Sequence, residues 1–175
     1  MESKNHHIVS ALVENKSGVL ARIAGLFARR GFNIYSLAVA PTNDPNLSRV
    51  TIVVDVEASL LSQVVNQLDK LINVVEIQEL KPTDAVEREL LLATVECSLS
   101  KRTEVIQIVT ALGGEIVDVN LSGLTIEMSS SPDKLDALEE LLSSYGIIKL
   151  QRTGRVALPR LTKESDTYTN QLKLA

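Results

Sequence analysis

The chain has 175 residues, of which 45% are hydrophobic and 23% charged, and its formal net charge is −4. Neither half is basic and aromatic residues make up only 3%, which argues against a nucleic-acid binder and against a base-stacking surface. A single cysteine, Cys97, excludes a disulfide framework and a cysteine metal site within one chain. The apolar runs are too short to span a membrane and residues 1–5 contain no apolar signal core, so we expect a cytoplasmic protein.

Strand and helix patterns alternate through the first 80 residues in the order βαββαβ. After a β-branched strand, the polar stretch 15–18 breaks the pattern, and apolar residues then recur at helical spacing at Leu20, Ile23, Ala24 and Phe27. Gly31 is placed to end this helix. The predicted elements are a strand at 7–14, this helix, strands at 33–40 and 48–56, a helix over 61–72 and a strand at 74–80.

The same order of elements returns after the short polar connector 81–84. The predicted elements are a strand at 89–96, a helix over 105–112, strands at 115–120 and 124–128, a second helix and a strand at 147–151. Gly113 and Gly114 end the first of these helices. The second helix begins at Pro132, and its apolar face consists of Leu135, Leu138, Leu141 and Leu142. Two βαββαβ units predict an α+β protein of two ferredoxin-like sandwiches. We assign residues 1–82 to the first, residues 83–160 to the second and residues 161–175 to a flexible tail.

The predicted strands are apolar on both faces, as residues 8–13 of the first strand show. One layer of helices covers only one face of a sheet, so nearly continuous apolar strands need a second cover. Apolar edge strands also tend to pair with another chain. Both arguments predict a homodimer with sheets side by side.

The sequence offers no group of residues typical of catalysis or of metal binding. His6 and His7 are adjacent, so on a strand they point to opposite faces, and we interpret them as part of a solvated terminus. Cys97 is interpreted as a buried structural thiol, and Glu87 and Glu89 as members of a solvated strand face. We therefore predict no catalytic residue and no metal site.

The most informative segment joins the first strand to the first helix. A helix N-terminus presents unpaired N–H groups and a partial positive charge, which bind carboxylates and phosphates. Gly18 leaves the backbone open to a ligand, Ser17 is able to cap the helix, and Asn15 is able to offer an amide. A plain helix cap is the competing interpretation. Asn33, polar at the start of an apolar strand, is either a turn residue after Gly31 or an amide that meets a ligand held by another subunit.

An ordered set of motifs resembles a known family. Asn15-x-Ser17-Gly18-Val19-Leu20, then a helix and Gly31-x-Asn33-Ile34, resembles an ACT domain, the small-molecule regulatory module of amino-acid metabolism. Further matching segments are 30–37, 42–45, 48–52, 86–90, 116–119 and 152–158. Together they resemble the small regulatory subunits of acetohydroxyacid synthase (acetolactate synthase), over residues 5–160.

The resemblance implies that the chemistry belongs to a separate large subunit, which condenses two 2-keto acids and would hold thiamine diphosphate, Mg and FAD. This chain would hold no cofactor, would activate the large subunit and would confer feedback inhibition by a branched-chain amino acid, typically valine. The effector would lie between two ACT domains, with its carboxylate on the first helix and its amino group toward the neighbouring chain. The implied effector-binding residues are Asn15, Ser17, Gly18, Val19 and Leu20 of one chain, and Asn33 and Ile34 of the other.

The second half departs from this pattern, because residues 98–102 contain no glycine before the helix. We expect no amino-acid site there, and its assignment as a contact for the large subunit follows from the resemblance alone. An alternative is a stand-alone ACT-type sensor that regulates another enzyme, or a transcription factor. A transcription factor needs a basic recognition helix and an enzyme needs convergent titratable groups, and we find neither pattern.

Overall fold

The structure is a computed structural model and describes residues 6–161. This part of the chain forms two antiparallel sheets, each with two helices. The elements are β1 (His6–Glu14), α1 (Val19–Arg30), β2 (Ile34–Pro41), β3 (Leu47–Asp55), α2 (Ala58–Asp69), β4 (Val74–Leu80), β5 (Ala85–Glu96), α3 (Leu99–Leu112), β6 (Glu115–Val119), β7 (Gly123–Ser130), α4 (Pro132–Ser143), β8 (Ile147–Arg152) and β9 (Val156–Pro159). The strand orders are β2-β3-β1-β4 and β6-β7-β5-β8. The predicted pair of ferredoxin-like sandwiches is confirmed.

The first core lies between the first sheet and helices α1 and α2. In β1 the alternate residues Val9, Ala11 and Val13 face the helices and are buried. The buried face of α1 consists of Val19, Ile23, Leu26 and Phe27. Leu20 and Ala24, which we predicted on this face, are exposed, because the helix begins at Val19 and its apolar stripe follows positions one, five, eight and nine.

Helix ends follow the local sequence. Gly31 adopts φ +69°, a left-handed conformation that glycine tolerates, and its N–H and that of Phe32 bond to the carbonyls of Ala28 and Phe27. Gly113 ends α3 in the same way, and Pro132 is the first residue of α4, both as predicted. α2 ends earlier than predicted, at Asp69, so Ile72 is exposed rather than part of a helix face.

The second core has the same construction. Its centre is formed by alternate residues of β5 and β7 and by two residues of α3 and three of α4: Leu91, Ala93, Val95, Leu124, Ile126, Met128, Val105, Val109, Leu135, Leu138 and Leu142. Cys97 is buried in this cluster as a free thiol, which confirms the prediction of a structural cysteine. Leu141, predicted on the apolar face of α4, is exposed because the face follows the spacing of Leu135, Leu138 and Leu142.

A short β-ribbon connects the two sandwiches and was not predicted. The first four residues of β5, 85–88, pair with β9 in antiparallel register, from Ala85 opposite Pro159 to Arg88 opposite Val156. We call this pair of segments the β5–β9 ribbon. It packs on the helix-free face of the first sheet, where Ile8, Val53, Leu80, Ala85 and Ala157 form a third buried cluster.

The ribbon changes the argument for a dimer. The apolar strands of the first sheet need a second layer on their helix-free face. At Ile8 and Val53 the β5–β9 ribbon of the same chain supplies that layer. The helix-free face of the second sheet is mixed, because Thr94, Lys149 and Gln151 lie on it beside the exposed Leu92. The expectation of two apolar faces therefore holds only in part for the second sheet, because Thr94, Lys149 and Gln151 interrupt the apolar surface. A dimer has to be argued from other features.

An ion-pair network joins the middle of β5 and the end of β8 to α4. Arg152 Nη2 donates to Glu89 Oε2 over 2.7 Å, and its Nη1 contacts carboxylates of Asp136 and Glu139. Burial lowers the pKa of Arg152, but the hydrogen bonds to Glu89 and Asp136 outweigh it and the net pKa is raised. Glu89 is only 6% exposed, so our assignment of this residue to a solvated face is wrong.

Glu87 is likewise not solvated. Its side chain is 12% exposed and faces Arg155. The alternation of Glu87 and Glu89 along the chain is typical of an exposed strand face, but Arg152 at the end of β8 and Arg155 in the following turn contact these carboxylates. Only a carboxylate with such a partner is readily buried.

Candidate functional site

The loop between β1 and α1, residues 15–18, is fixed to the turn between β2 and β3. The backbone N–H of Asn15 donates to the Asn46 carbonyl over 2.6 Å, and its side-chain Nδ2 donates to the Pro45 carbonyl over 2.9 Å. The NH₂ group of Asn15 that we assigned to the ligand is therefore engaged with the chain itself. In this structure Asn15 positions the loop.

The first turn of α1 presents backbone N–H groups to an open surface. Gly18 is the N-cap, with φ +82° and ψ −9°. Among residues 6–161, the N–H groups of Gly18 and Leu20 have no backbone or side-chain acceptor, whereas that of Val19 donates to the Lys16 carbonyl over 3.3 Å. A Cβ placed on Gly18 would meet nothing within 4 Å. Two unbonded donors and the helix dipole thus point toward accessible space.

Ser17 does not have the role that its sequence suggested. It is exposed, and in the described part of the chain no side chain makes a capping hydrogen bond to α1. The prediction that Ser17 caps the helix is wrong, because Gly18 occupies the N-cap position itself. Ser17 remains one residue from the free N–H groups, on the outside of the loop.

A polar network that we did not predict holds the start of α1 against the connection between α2 and β4. Asn73 Nδ2 donates to Glu14, Lys16 Nζ lies 3.0 Å from Glu14 Oε1, and Arg22 Nη1 donates to Asn73 Oδ1 over 2.7 Å. The hydrogen bond from Asn73, and then that from Lys16, lowers the pKa of Glu14 and keeps it ionised. Asn73 is 59 residues from Glu14, so no local spacing indicated this contact.

Asn33 and Ile34 lie at the opposite end of α1 from Gly18. The twelve residues of α1 span about 18 Å at 1.5 Å per residue. Ile34 packs against the first core, and Asn33 is exposed, with no side-chain hydrogen bond to any described residue. One chain therefore does not bring the two halves of the predicted site together.

The strand that follows Asn33 is an edge strand. β2 pairs with β3 only, among the strands that the structure describes, and Tyr35 and Val39 are large exposed side chains on it. An edge with accessible backbone groups and apolar side chains is a template for pairing with another strand.

The residues screened for catalysis lie apart from this loop. Within residues 6–161, no three His, Cys, Asp or Glu side chains lie close enough to hold a metal ion. His6 and His7 are half-buried rather than solvated, contrary to our interpretation; the His6 ring lies 4.1 Å from that of Tyr35. No helix in the described part of the chain is both long and apolar enough to cross a membrane.

The sandwich fold and the accessible N–H groups at the start of α1, where Gly18 is the N-cap, are those of an ACT domain. Comparison with known proteins agrees. Residues 9–76 match the family described as the AHAS small subunit-like ACT domain, and residues 88–161 match the small subunit of acetolactate synthase. The chain belongs to the family of acetolactate synthase small subunits.

Individual relatives cover nearly the whole chain. The acetolactate synthase small subunit of Mycolicibacterium smegmatis is 47% identical over 154 residues, 88% of this chain and 91% of the relative. A probable small subunit from Methanothermobacter thermautotrophicus is 45% identical over 155 residues, 88% of this chain and 92% of the relative. The crystal structure of the Thermotoga maritima small subunit superposes with a TM-score of 0.83 at 38% identity, covering 90% of this chain and 99% of that one.

Proposed function

We propose that this protein activates a separate, catalytic large subunit of acetolactate synthase in the cytoplasm and makes it sensitive to feedback inhibition by a branched-chain amino acid, with valine as the first candidate. The observation that carries the proposal is the accessible first turn of α1, with unbonded N–H groups at Gly18 and Leu20, in a chain of this family. Thiamine diphosphate, Mg and FAD are assigned to the large subunit.

The effector carboxylate would accept hydrogen bonds from the N–H groups of Gly18 and Leu20. Both groups lack an acceptor within the described chain, so binding replaces water rather than an internal hydrogen bond. No side chain rises from Gly18, and the helix dipole adds a favourable charge interaction. Asn15 and Glu14, fixed by the β2–β3 turn and by Asn73, keep this loop in place before the ligand arrives.

The amino group of the effector requires a second chain. β1 and β2 both run antiparallel to β3, so they are parallel to each other, and the Gly18 loop lies at the end of the sheet where β2 finishes. If two β2 edges pair antiparallel about a twofold axis, the start of one β2 lies beside the end of the other. Asn33 of the second copy then approaches the Gly18 loop of the first. Parallel pairing would place the two Asn33 side chains together instead.

The direct test is reconstitution with a purified large subunit. We expect no synthase activity from this chain alone, a higher rate when it is added to the large subunit, and a lower rate again in millimolar valine. Leucine and isoleucine serve as comparisons, since one methylene or its placement changes affinity by only about 1–3 kcal/mol in an apolar pocket. A complex that forms but shows neither activation nor a response to any of the three amino acids would contradict the proposal.

Replacing Asn33 tests the contribution of the second copy. Hydrogen bonds to a charged group contribute about 1.5–3 kcal/mol, so Asn33→Ala should weaken valine binding, measured by calorimetry, about 10- to 100-fold. Asn33 is exposed and has no side-chain hydrogen bond among residues 6–161, so the fold and the activation should be kept. Asn66→Ala, at an exposed position of α2, is the matched control. Wild-type affinity in Asn33→Ala would remove this residue from the site.

A further inference from the structure

An irregularity in β2 lies directly after the proposed effector contacts. Ile34 pairs with Val54 and Ser36 with Val53, so Tyr35 is an extra residue in the ladder between β2 and β3. Such a bulge bends a strand and changes where the following side chains point. A ligand that restrains Asn33 and Ile34 therefore acts on the residues that come directly before the bulge.

The residue after the bulge contacts the second half of the chain. Ser36 Oγ accepts a hydrogen bond from the backbone N–H of Arg155 over 3.3 Å. Gly154 is buried, has φ +83°, and lies so close that a Cβ on it would be 3.2 Å from Ser36 Cβ. The turn between β8 and β9 thus packs directly on β2.

The Arg155 side chain extends this contact in two directions. Its Nη1 lies 3.4 Å from Glu87 Oε2 in the β5–β9 ribbon, and its Nη2 lies 3.5 Å from His6 Nδ1 in β1. The His6 ring in turn lies against Tyr35, the bulged residue. Both Tyr35 and Ser36 are therefore connected to Arg155, one through a side chain and the other through the backbone.

The turn that holds Arg155 is firmly bonded to the second sheet. Thr153 exchanges hydrogen bonds with Leu90, and Arg152 is paired with the buried Glu89. Since Leu90 and Glu89 belong to β5, a central strand of that sheet, a displacement of Arg155 is transmitted to the second sandwich rather than absorbed by a loose loop.

We infer that Ser36 and Arg155 couple the effector site to the second half of the chain, as positioning residues that transmit the state of the Tyr35 bulge to the β5–β9 ribbon. The inference rests on the proposed function, which assigns the effector to Asn33 and Ile34. A ligand there favours one arrangement of the bulge, and the close packing of Ser36 on Gly154 forces the turn to follow it. Packed contacts of this kind adopt discrete arrangements rather than deforming continuously.

Two substitutions each remove a different contact between β2 and the turn that holds Arg155, and neither changes a residue of the proposed effector site. Ser36→Ala removes the acceptor for the Arg155 N–H, and Arg155→Gln removes the guanidinium contacts to Glu87 and His6. Arg160→Gln is the matched control, because Arg160 follows β9, is exposed, and has no side-chain hydrogen bond or ion pair with the described residues. Each variant is reconstituted with the large subunit, and valine binding is measured separately by calorimetry on the full-length small subunit.

We expect Ser36→Ala and Arg155→Gln to bind valine within about 3-fold of wild type and to activate within about 2-fold, while maximal inhibition at saturating valine falls by half or more. Arg160→Gln should be inhibited like the wild type. Full inhibition of a folded Ser36→Ala variant, the more conservative change, would overturn the inference even if Arg155→Gln failed to fold. Weakened binding in parallel with weakened inhibition would also overturn it. A wild-type protein that binds no branched-chain amino acid would overturn the proposed function instead, and with it the basis of this inference.

Discussion

Gly18→Asp should abolish most of the feedback inhibition while leaving activation of the large subunit intact. The new carboxylate lies where the effector carboxylate would bind, and it competes for the same N–H groups. Two like charges about 4 Å apart near a protein surface repel by about 4 kcal/mol, more than the 1.5–3 kcal/mol that burial of an isopropyl group contributes. The valine concentration for half-maximal inhibition should therefore rise at least about 30-fold in the reconstituted enzyme.

The backbone at Gly18 determines the right control. Its φ of +82° disfavours most side chains, but Asn and Asp tolerate this conformation best, and the space around the position is open. Gly18→Asn has nearly the same shape as Gly18→Asp without the charge, so it should lose much less affinity. Equal losses in the two variants would assign the effect to shape or backbone strain and contradict a carboxylate over Gly18.

A mixture of variants examines whether two chains share the site. In a dimer of one Gly18→Asp chain and one Asn33→Ala chain, one of the two sites combines both changes and the other has neither. If equal amounts of the two defective proteins exchange partners at random, half of the dimers are mixed, so about a quarter of all valine sites should be restored. If no binding returns although the chains exchange partners, Gly18 and Asn33 do not act across the dimer.

Arg152→Met should have the largest effect on stability. It leaves Glu89, buried at the end of the second sheet, without its cation, and removing one partner of a buried pair costs about 3–5 kcal/mol. Because Arg152 is 20% exposed, we expect the lower end of that range, which for a chain of this size corresponds to a fall of about 10 °C in the melting temperature. Thermal unfolding followed by circular dichroism gives this value.

Two further variants separate the charge from the loss of packing. Arg160→Met, an exposed position, should change stability by less than about 0.5 kcal/mol. The double variant Glu89→Leu with Arg152→Met removes both charges of the buried pair, so no unpaired carboxylate is left at position 89. This double variant should therefore be clearly more stable than Arg152→Met alone. A double variant as unstable as the single one would show that packing of the Arg152 side chain, not compensation of Glu89, is what matters.

The sequence was sufficient to predict the two sandwiches because both halves follow simple periodicities. The apolar, β-branched composition of β1 predicted a buried strand, and the spacing of Leu135, Leu138 and Leu142 predicted α4 and most of its buried face. The β5–β9 ribbon escaped prediction because β9 has only four residues and ends in proline, and because two of the first four residues of β5 are charged. The burial of Glu87 depends on Arg155, which comes from a distant part of the chain, and periodicity does not reveal such a contact.

The candidate site was predictable only in part. A glycine between a strand and a helix indicated accessible N–H groups, and the free donors at Gly18 and Leu20 agree with that. The hydrogen bond from Asn15 to Pro45 and the network of Glu14 and Asn73 depend on how the β2–β3 turn and the α2–β4 connection fold back. These contacts join residues 30 and 59 positions apart, so no local motif contained them.

The dual membership of β5 limits how this protein can be recombined with its relatives. One continuous strand of twelve residues, about 40 Å long, begins over the helix-free face of the first sheet and ends in the middle of the second. A chimaera joined at the connector 81–84 would therefore exchange more than a second domain, because it would also replace Ala85 and Ala157, which cover Ile8 and Val53. Donor and recipient must match at those four positions for a hybrid to keep both its stability and the relative orientation of its halves.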